Sequence, residues 1–199
     1  MTFIIGLTGN AEHGKNAAAN IILEWVAKQG GTAAIFEISG MILAECIELG
    51  LLPPGSVRNQ QDKEQNRILM EHGSNRRAEN PDYWVNGKGG VVPAMRDSGL
   101  DVAVCPNVRF QTEGDGIRAE GGTIWLIQRL NRDGSKFVSK TRDQNHVTET
   151  VIGTWPADFY LYNMEGHGAL LEEQVVTLFE YAIELRSYQH GLSTLPGRK

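Results

Sequence analysis

The sequence predicts an α/β fold in three layers, a parallel β-sheet covered by helices on both faces. Three observations predict it. Short apolar runs rich in β-branched residues alternate with longer helical stretches. The first run passes straight into a glycine loop and then a helix. Glycine pairs, Gly30-Gly31 and Gly121-Gly122, stop helical stretches just ahead of the next strand.

Taken in order, TFIIGLT (2–8) reads as a buried strand rather than a leader, because it carries no basic flank or cleavage site. Lys15–Lys28 follows as a helix. TAAIFEIS (32–39) is the second strand, and Met41–Leu49, Gln61–His72 and Val91–Ser98 are helical stretches behind it. LDVAVCP (100–106), GGTIWLIQRL (121–130) and DFYLYNM (158–164) are three further strands, with helices expected at Thr112–Glu120 and Glu172–Ser187. No repeat and no Pro-rich or Ser-rich linker divides the chain, so residues 1–199 read as one domain, with 51–90 a helical excursion inside it. Residues 131–145 lack an apolar period and read as a mobile lid.

Composition narrows the function. No apolar run approaches the length that spans a bilayer. Cys46 and Cys105 stand far apart without metal-ligand spacing, which suits a reduced cytoplasmic interior and assigns them no chemistry. The formal charge of -5 argues against a basic coat for nucleic acid. Locally the balance reverses: residues 129–142 hold Arg129, Arg132, Lys136, Lys140 and Arg142 against the single acid Asp133, a place where an anion could dock.

The chemistry-bearing motif is GNAEHGKN (9–16). Gly9, Gly14 and Lys15 satisfy G-x-x-x-x-G-K, set between a strand and a helix as that motif requires. Backbone N–H groups from Gly9, Asn10, Ala11, Glu12, His13 and Gly14 would converge on phosphate oxygens. The helix start at Lys15, Asn16 and Ala17 would add its positive dipole end, and the Lys15 ammonium would reach the outer phosphates of ATP. Glu12 and His13 read as solvent-facing loop positions. Asn16 stands where a Mg²⁺-binding hydroxyl is usual; its amide oxygen either ligates the metal or orients a water that does.

Beyond this loop, the chain resembles the phage deoxynucleoside monophosphate kinases, a branch of the P-loop nucleotide kinases. The blocks LTGNAEHGKN, LMEHGSNRRAENPDYWV, CPNVRFQTEGDGIRAEGGTIWLIQR and NHVTE carry the resemblance in the family's order, from about residue 4 to 163. It implies a sheet order of 2-3-1-4-5, ATP and Mg²⁺ as cofactors, and an acceptor side over about 41–87. It also implies a lid over about 130–146 and a host cytoplasm if phage-encoded. Arg76, Arg77, Tyr83 and Trp84 fall in the acceptor block: the arginines suit a phosphate, and the aromatics serve either to stack on a base or to fill the core. Arg109 falls in a D-V-R-F-like block, for an anion or a structural ion pair, but Asn107 replaces its acid. Arg129 leads into the lid, where Arg132, Lys136, Lys140 and Arg142 follow, and His146 opens the NHVTE block as a lid-docking residue.

A base is needed only where the acceptor is a hydroxyl. Glu37, just after the second strand, is the first candidate and Asp82 the second; each could instead cap a helix or pair with a cation. The acceptor is expected to be a deoxynucleoside monophosphate or, as in related phage enzymes, 5-hydroxymethyluracil within DNA. A degenerate nucleotide-binding module is the third reading, motivated by Asn16 and Asn107, and a homodimer is an open expectation.

Overall fold

The structure, a computed structural model, describes residues 2–59, 61–87, 89–140 and 150–190. Five strands, β1 (Phe3–Thr8), β2 (Ala33–Ile35), β3 (Val102–Cys105), β4 (Thr123–Leu130) and β5 (Phe159–Met164), form one sheet in the order β2-β3-β1-β4-β5. Every pairing is parallel. This is the P-loop arrangement that the resemblance implies.

Why the sheet is sandwiched follows from β1, whose six residues are all buried. Phe3, Ile5 and Leu7 enter one apolar core with Val102, Val104, Trp125, Ile127 and Leu161. Ile4 enters the other with Ala103, Cys105 and Ile124. Side chains alternate across a strand, so a run buried at every position needs cover on both faces. Helices α1 (Lys15–Lys28) and α7 (Gly168–His190) cover the first face through Ala18, Ile22, Val26, Val175 and Phe179. The second is covered by α2 (Ile38–Glu48), α3 (Lys63–Glu79), α4 (Tyr83–Asn86), α5 (Val91–Arg96) and α6 (Gln111–Ala119).

Several boundaries differ from expectation. β2 stops at Ile35; Phe36 N–H still reaches Val104 O, but Glu37 already sits at the N-cap of α2, which starts three residues before Met41. α3 runs on past His72 to Glu79, and α4, not expected at all, follows a tight turn at Asn80–Asp82. β5 is an edge strand. There the Gln174 side chain of α7 accepts from Tyr162 N–H at 3.1 Å and donates to Tyr162 O at 3.0 Å. No helix among the described residues is long and apolar enough to cross a membrane.

Candidate active site

All five strands run the same way, so their carboxyl ends share one edge of the sheet, and the candidate residues collect there. β1 delivers the glycine loop, β2 Glu37, β3 Asn107 and Arg109, β4 Arg129, and β5 Asn163 and Glu165.

The loop's shape depends on its glycines. Gly14 has φ 100°, and a Cβ there would lie 2.5 Å from Asn163 Nδ2, which donates to His13 O at 3.2 Å. Gly9 has φ 150°, and a Cβ there would strike Ile127 O. Glu12 is held at φ 63°, a conformation uncommon for a side-chain-bearing residue. Lys15 is buried, and its Nζ donates to Gly9 O at 2.7 Å and Asn10 O at 2.8 Å, so the ammonium lies over the loop's own carbonyls. Thr8 Oγ1, at the foot of the loop, is buried without a partner. A loop with an anchored ammonium and a spare buried hydroxyl fits a phosphate chain. Asn16 and Ala17 are exposed in the first turn of α1.

His13 corrects the sequence reading. Its side chain is not solvent-facing: the residue is 2% exposed, with Nδ1 3.2 Å from Ile127 O and Nε2 3.3 Å from Phe137 O. Burial pushes the imidazole below its ordinary pKa and Lys15 and Lys136 push it further, against the pull of the two carbonyls. The contact to Phe137 comes from the expected lid, whose start is an ordered turn: Asn131 N–H bonds Ser135 O, and Phe137 N–H returns to Arg129 O. Arg129 stacks on the Phe137 ring at 4.0 Å, donates to Glu12 O at 3.4 Å and lies 4.0 Å from Glu165. Arg132, Lys136 and Lys140 are exposed on this segment, while Arg142 and His146 lie outside the described residues. A cavity of about 240 Å³ opens between loop and hairpin, lined by Asn10, His13, Ile127, Gln128, Lys136 and Gly153.

On the acceptor side the structure separates residues that the sequence groups. Trp84 is a core aromatic, 1% exposed, with Nε1 donating to Gly73 O at 3.0 Å, so it offers no face to a base. Arg76 has its guanidinium on Glu45, at 2.6 Å and 2.8 Å, and over the Tyr83 ring, whose hydroxyl donates to the same carboxylate at 3.1 Å. Burial works against the Glu45 charge, but Arg76 and Tyr83 outweigh it and hold the carboxyl below its usual range. Arg76 and Tyr83 therefore brace α2, α3 and α4 together.

Arg77 and Arg109 differ, for both face Glu113, a residue the sequence reading passed over. Glu113 is 3% exposed, and its Oε2 accepts from Arg109 N–H at 2.6 Å and Phe110 N–H at 3.2 Å. Burial raises its pKa, while those two N–H groups and the charges of Arg77 and Arg109 lower it. The signal was present: a glutamate three residues after the N-cap Phe110 can reach back to the helix start. Of the two candidate bases, Glu37 accepts from Ser39 Oγ at 3.1 Å, and Asp82 keeps a buried Oδ1 without a partner.

For a metal, no group of three or more His, Cys, Asp or Glu side chains gathers among the described residues. Where the loop meets β1 and α1 the donors are the neutral Thr8 and Asn16, which fits a Mg²⁺ that arrives on a nucleotide and keeps most of its waters. The cysteines stay inert: burial pushes the Cys105 thiol up to about 12 and also raises that of Cys46.

No protein-family model and no curated protein sequence matches the chain. Among solved structures it is similar to an APS kinase from Mycobacterium tuberculosis, at 11% identity over 90% of this chain and 97% of that one, with a TM-score of 0.42. It is also similar to a sugar kinase from Janibacter sp. HTCC2649, at 11% identity over 92% and 95%, with a TM-score of 0.42. At TM-scores this low neither likeness bears on what the chain binds. The functional reading rests on the site's own residues.

Proposed function

We propose that this chain is an ATP-dependent phosphotransferase of the P-loop type whose acceptor is a deoxynucleotide. One observation carries it. The loop 9–14 ends in the buried Lys15 at the N-terminus of a fourteen-residue helix, on the edge of the sheet where every strand delivers a polar or charged residue.

In this reading the loop N–H groups hold the phosphates, and Lys15 exchanges Gly9 O and Asn10 O for phosphate oxygens. Mg²⁺, held through Asn16 or a water on it, would supply charge neutralisation along the phosphates. Arg129 and the exposed cations Arg132, Lys136 and Lys140 add positive charge from the lid side, joined in sequence by Arg142, because phosphoryl transfer depends mainly on position and charge. Arg77 and Arg109 meet the acceptor's phosphate. Arg76, Tyr83 and Trp84 support that side from behind.

A deoxynucleoside monophosphate is the first acceptor, since its ionised phosphate needs no base. The exposure of Arg132, Lys136 and Lys140 favours a second reading, in which the acceptor is a 5-hydroxymethyluracil hydroxyl within DNA. There Glu37 or Asp82 would take the hydroxyl proton. The deciding experiment offers labelled ATP and Mg²⁺ with each of four deoxynucleoside monophosphates and with unmodified or hydroxymethyluracil DNA. Label on a mononucleotide supports the first reading, and label on modified DNA alone supports the second. ATP binding with transfer to neither would leave a nucleotide-binding module.

A further inference from the structure

His13 is placed between two carbonyl oxygens, Ile127 O on Nδ1 and Phe137 O on Nε2. Carbonyls only accept, and a neutral imidazole carries one N–H. Whichever tautomer forms, one buried ring nitrogen therefore turns a lone pair toward an oxygen. The imidazolium, with two N–H groups, satisfies both contacts.

The charges around the ring determine when that state is reached. From its own loop and α1 come Lys15 and the exposed Glu12. From the hairpin comes Lys136, and from β4 comes Arg129, which stacks on Phe137 and lies 4.0 Å from Glu165. β5 contributes the neutral Asn163, and Ile152 and Gly153 line the cavity beside it. Burial and the two lysines disfavour the charged ring, against the pull of the two carbonyls. A polyphosphate in the loop would bring several negative charges against Lys15 and reverse that balance.

We infer that His13 is a positioning residue through which phosphate binding draws in a proton, the resulting imidazolium donating to Ile127 O and Phe137 O and so clamping the lid hairpin onto the phosphate loop. This rests on the phosphate-binding part of the proposed function. The proton comes from solvent, and no bond other than N–H is made.

The test is calorimetric titration of the full chain with a non-hydrolysable ATP analogue plus Mg²⁺, and with pyrophosphate, near pH 7 in two buffers of different ionisation enthalpy. The same titrations are run on His13→Gln, whose amide cannot take up a proton. Protons released by the nucleotide itself are common to both proteins, so the difference reads His13. Wild type should take up an excess of between about 0.3 and one proton per site, and its affinity should weaken several-fold more than the variant's between pH 6 and pH 8. Equal proton counts with equal pH dependence would overturn the inference. If His13→Gln does not fold, the wild-type imidazole ¹⁵N signals serve instead: they should move toward the imidazolium position on adding analogue, and a ring that stays neutral overturns the inference. A folded wild type that binds neither ligand removes the phosphate-loop reading and this inference together. Binding and proton uptake without transfer to any acceptor would remove only the kinase reading.

Discussion

Lys15 donates to two carbonyls of its own loop at 2.7 Å and 2.8 Å, acceptors that phosphate oxygens would replace. Lys15→Ala should lower phosphotransfer by about 10²-fold or more, the scale on which a preorganised electrostatic group acts, with the thermal midpoint little changed. Retained transfer would remove the loop from the mechanism. Glu37→Gln and Asp82→Asn distinguish the acceptors: with a phosphate acceptor neither should change the transfer rate by more than a few-fold, whereas with a hydroxyl acceptor one of them should lose most of it. Trp84→Ala should cost about 3–5 kcal/mol in a denaturant melt, because it empties a buried aromatic site. At this scale the loop residues were legible because their chemistry is local. The burial of His13 was not, since its partner Phe137 lies 124 positions away, and neither was the capture of Arg76 by Glu45 across 31.

Elements were read well where the apolar pattern is long, and poorly where tertiary contact overrides it. α1 has the expected bounds, and all five strands appear in sequence. α3 continues past the expected end at His72, through Gly73 and Ser74, where the ties from Arg76 to Glu45 and from Trp84 to Gly73 O hold it against its neighbours. The lid was expected to be irregular, yet its first residues form a turn whose pairing to Arg129 gives no apolar period to detect. That turn carries a prediction. Lys136→Ala with Lys140→Ala should flatten the salt dependence of substrate binding by about one to two logarithmic slope units if the acceptor is DNA, and hardly alter it for a mononucleotide. Filter binding across a range of salt concentrations reads the difference. Gly14→Ala should weaken nucleotide binding at least tenfold, since a φ of 100° strains any residue that carries a side chain.

For the whole molecule, two buried groups contribute to the pH response in opposite senses. The folded pKa of His13 lies below its ordinary value near 6.5, so the unfolded chain binds that proton more readily. Stability from this residue is present above that value and is lost as pH falls below it. Glu113 has the reverse sign: its folded pKa is raised, so its contribution is present at low pH and is lost as pH rises above the ordinary carboxyl value. Glu113→Gln should therefore leave the midpoint at pH 7 unchanged or raise it by ~2–4 °C, while its acceptor oxygen keeps the Arg109 and Phe110 N–H groups. A fall of more than about 5 °C would show that the charge itself holds Arg77 and Arg109 in place.

The side chain of Gln174 also decides what can approach the edge of β5. It offers Tyr162 the donor and acceptor that a neighbouring strand would offer, so β5 is closed to a newcomer at its middle. Two copies of the chain cannot zip their sheets into one ribbon there without first evicting that amide, and any dimer is steered to another face. Gln174→Ala would leave an open template flanked by the exposed rings of Tyr160 and Tyr162, and light scattering on warming should show it clumping sooner than the parent protein.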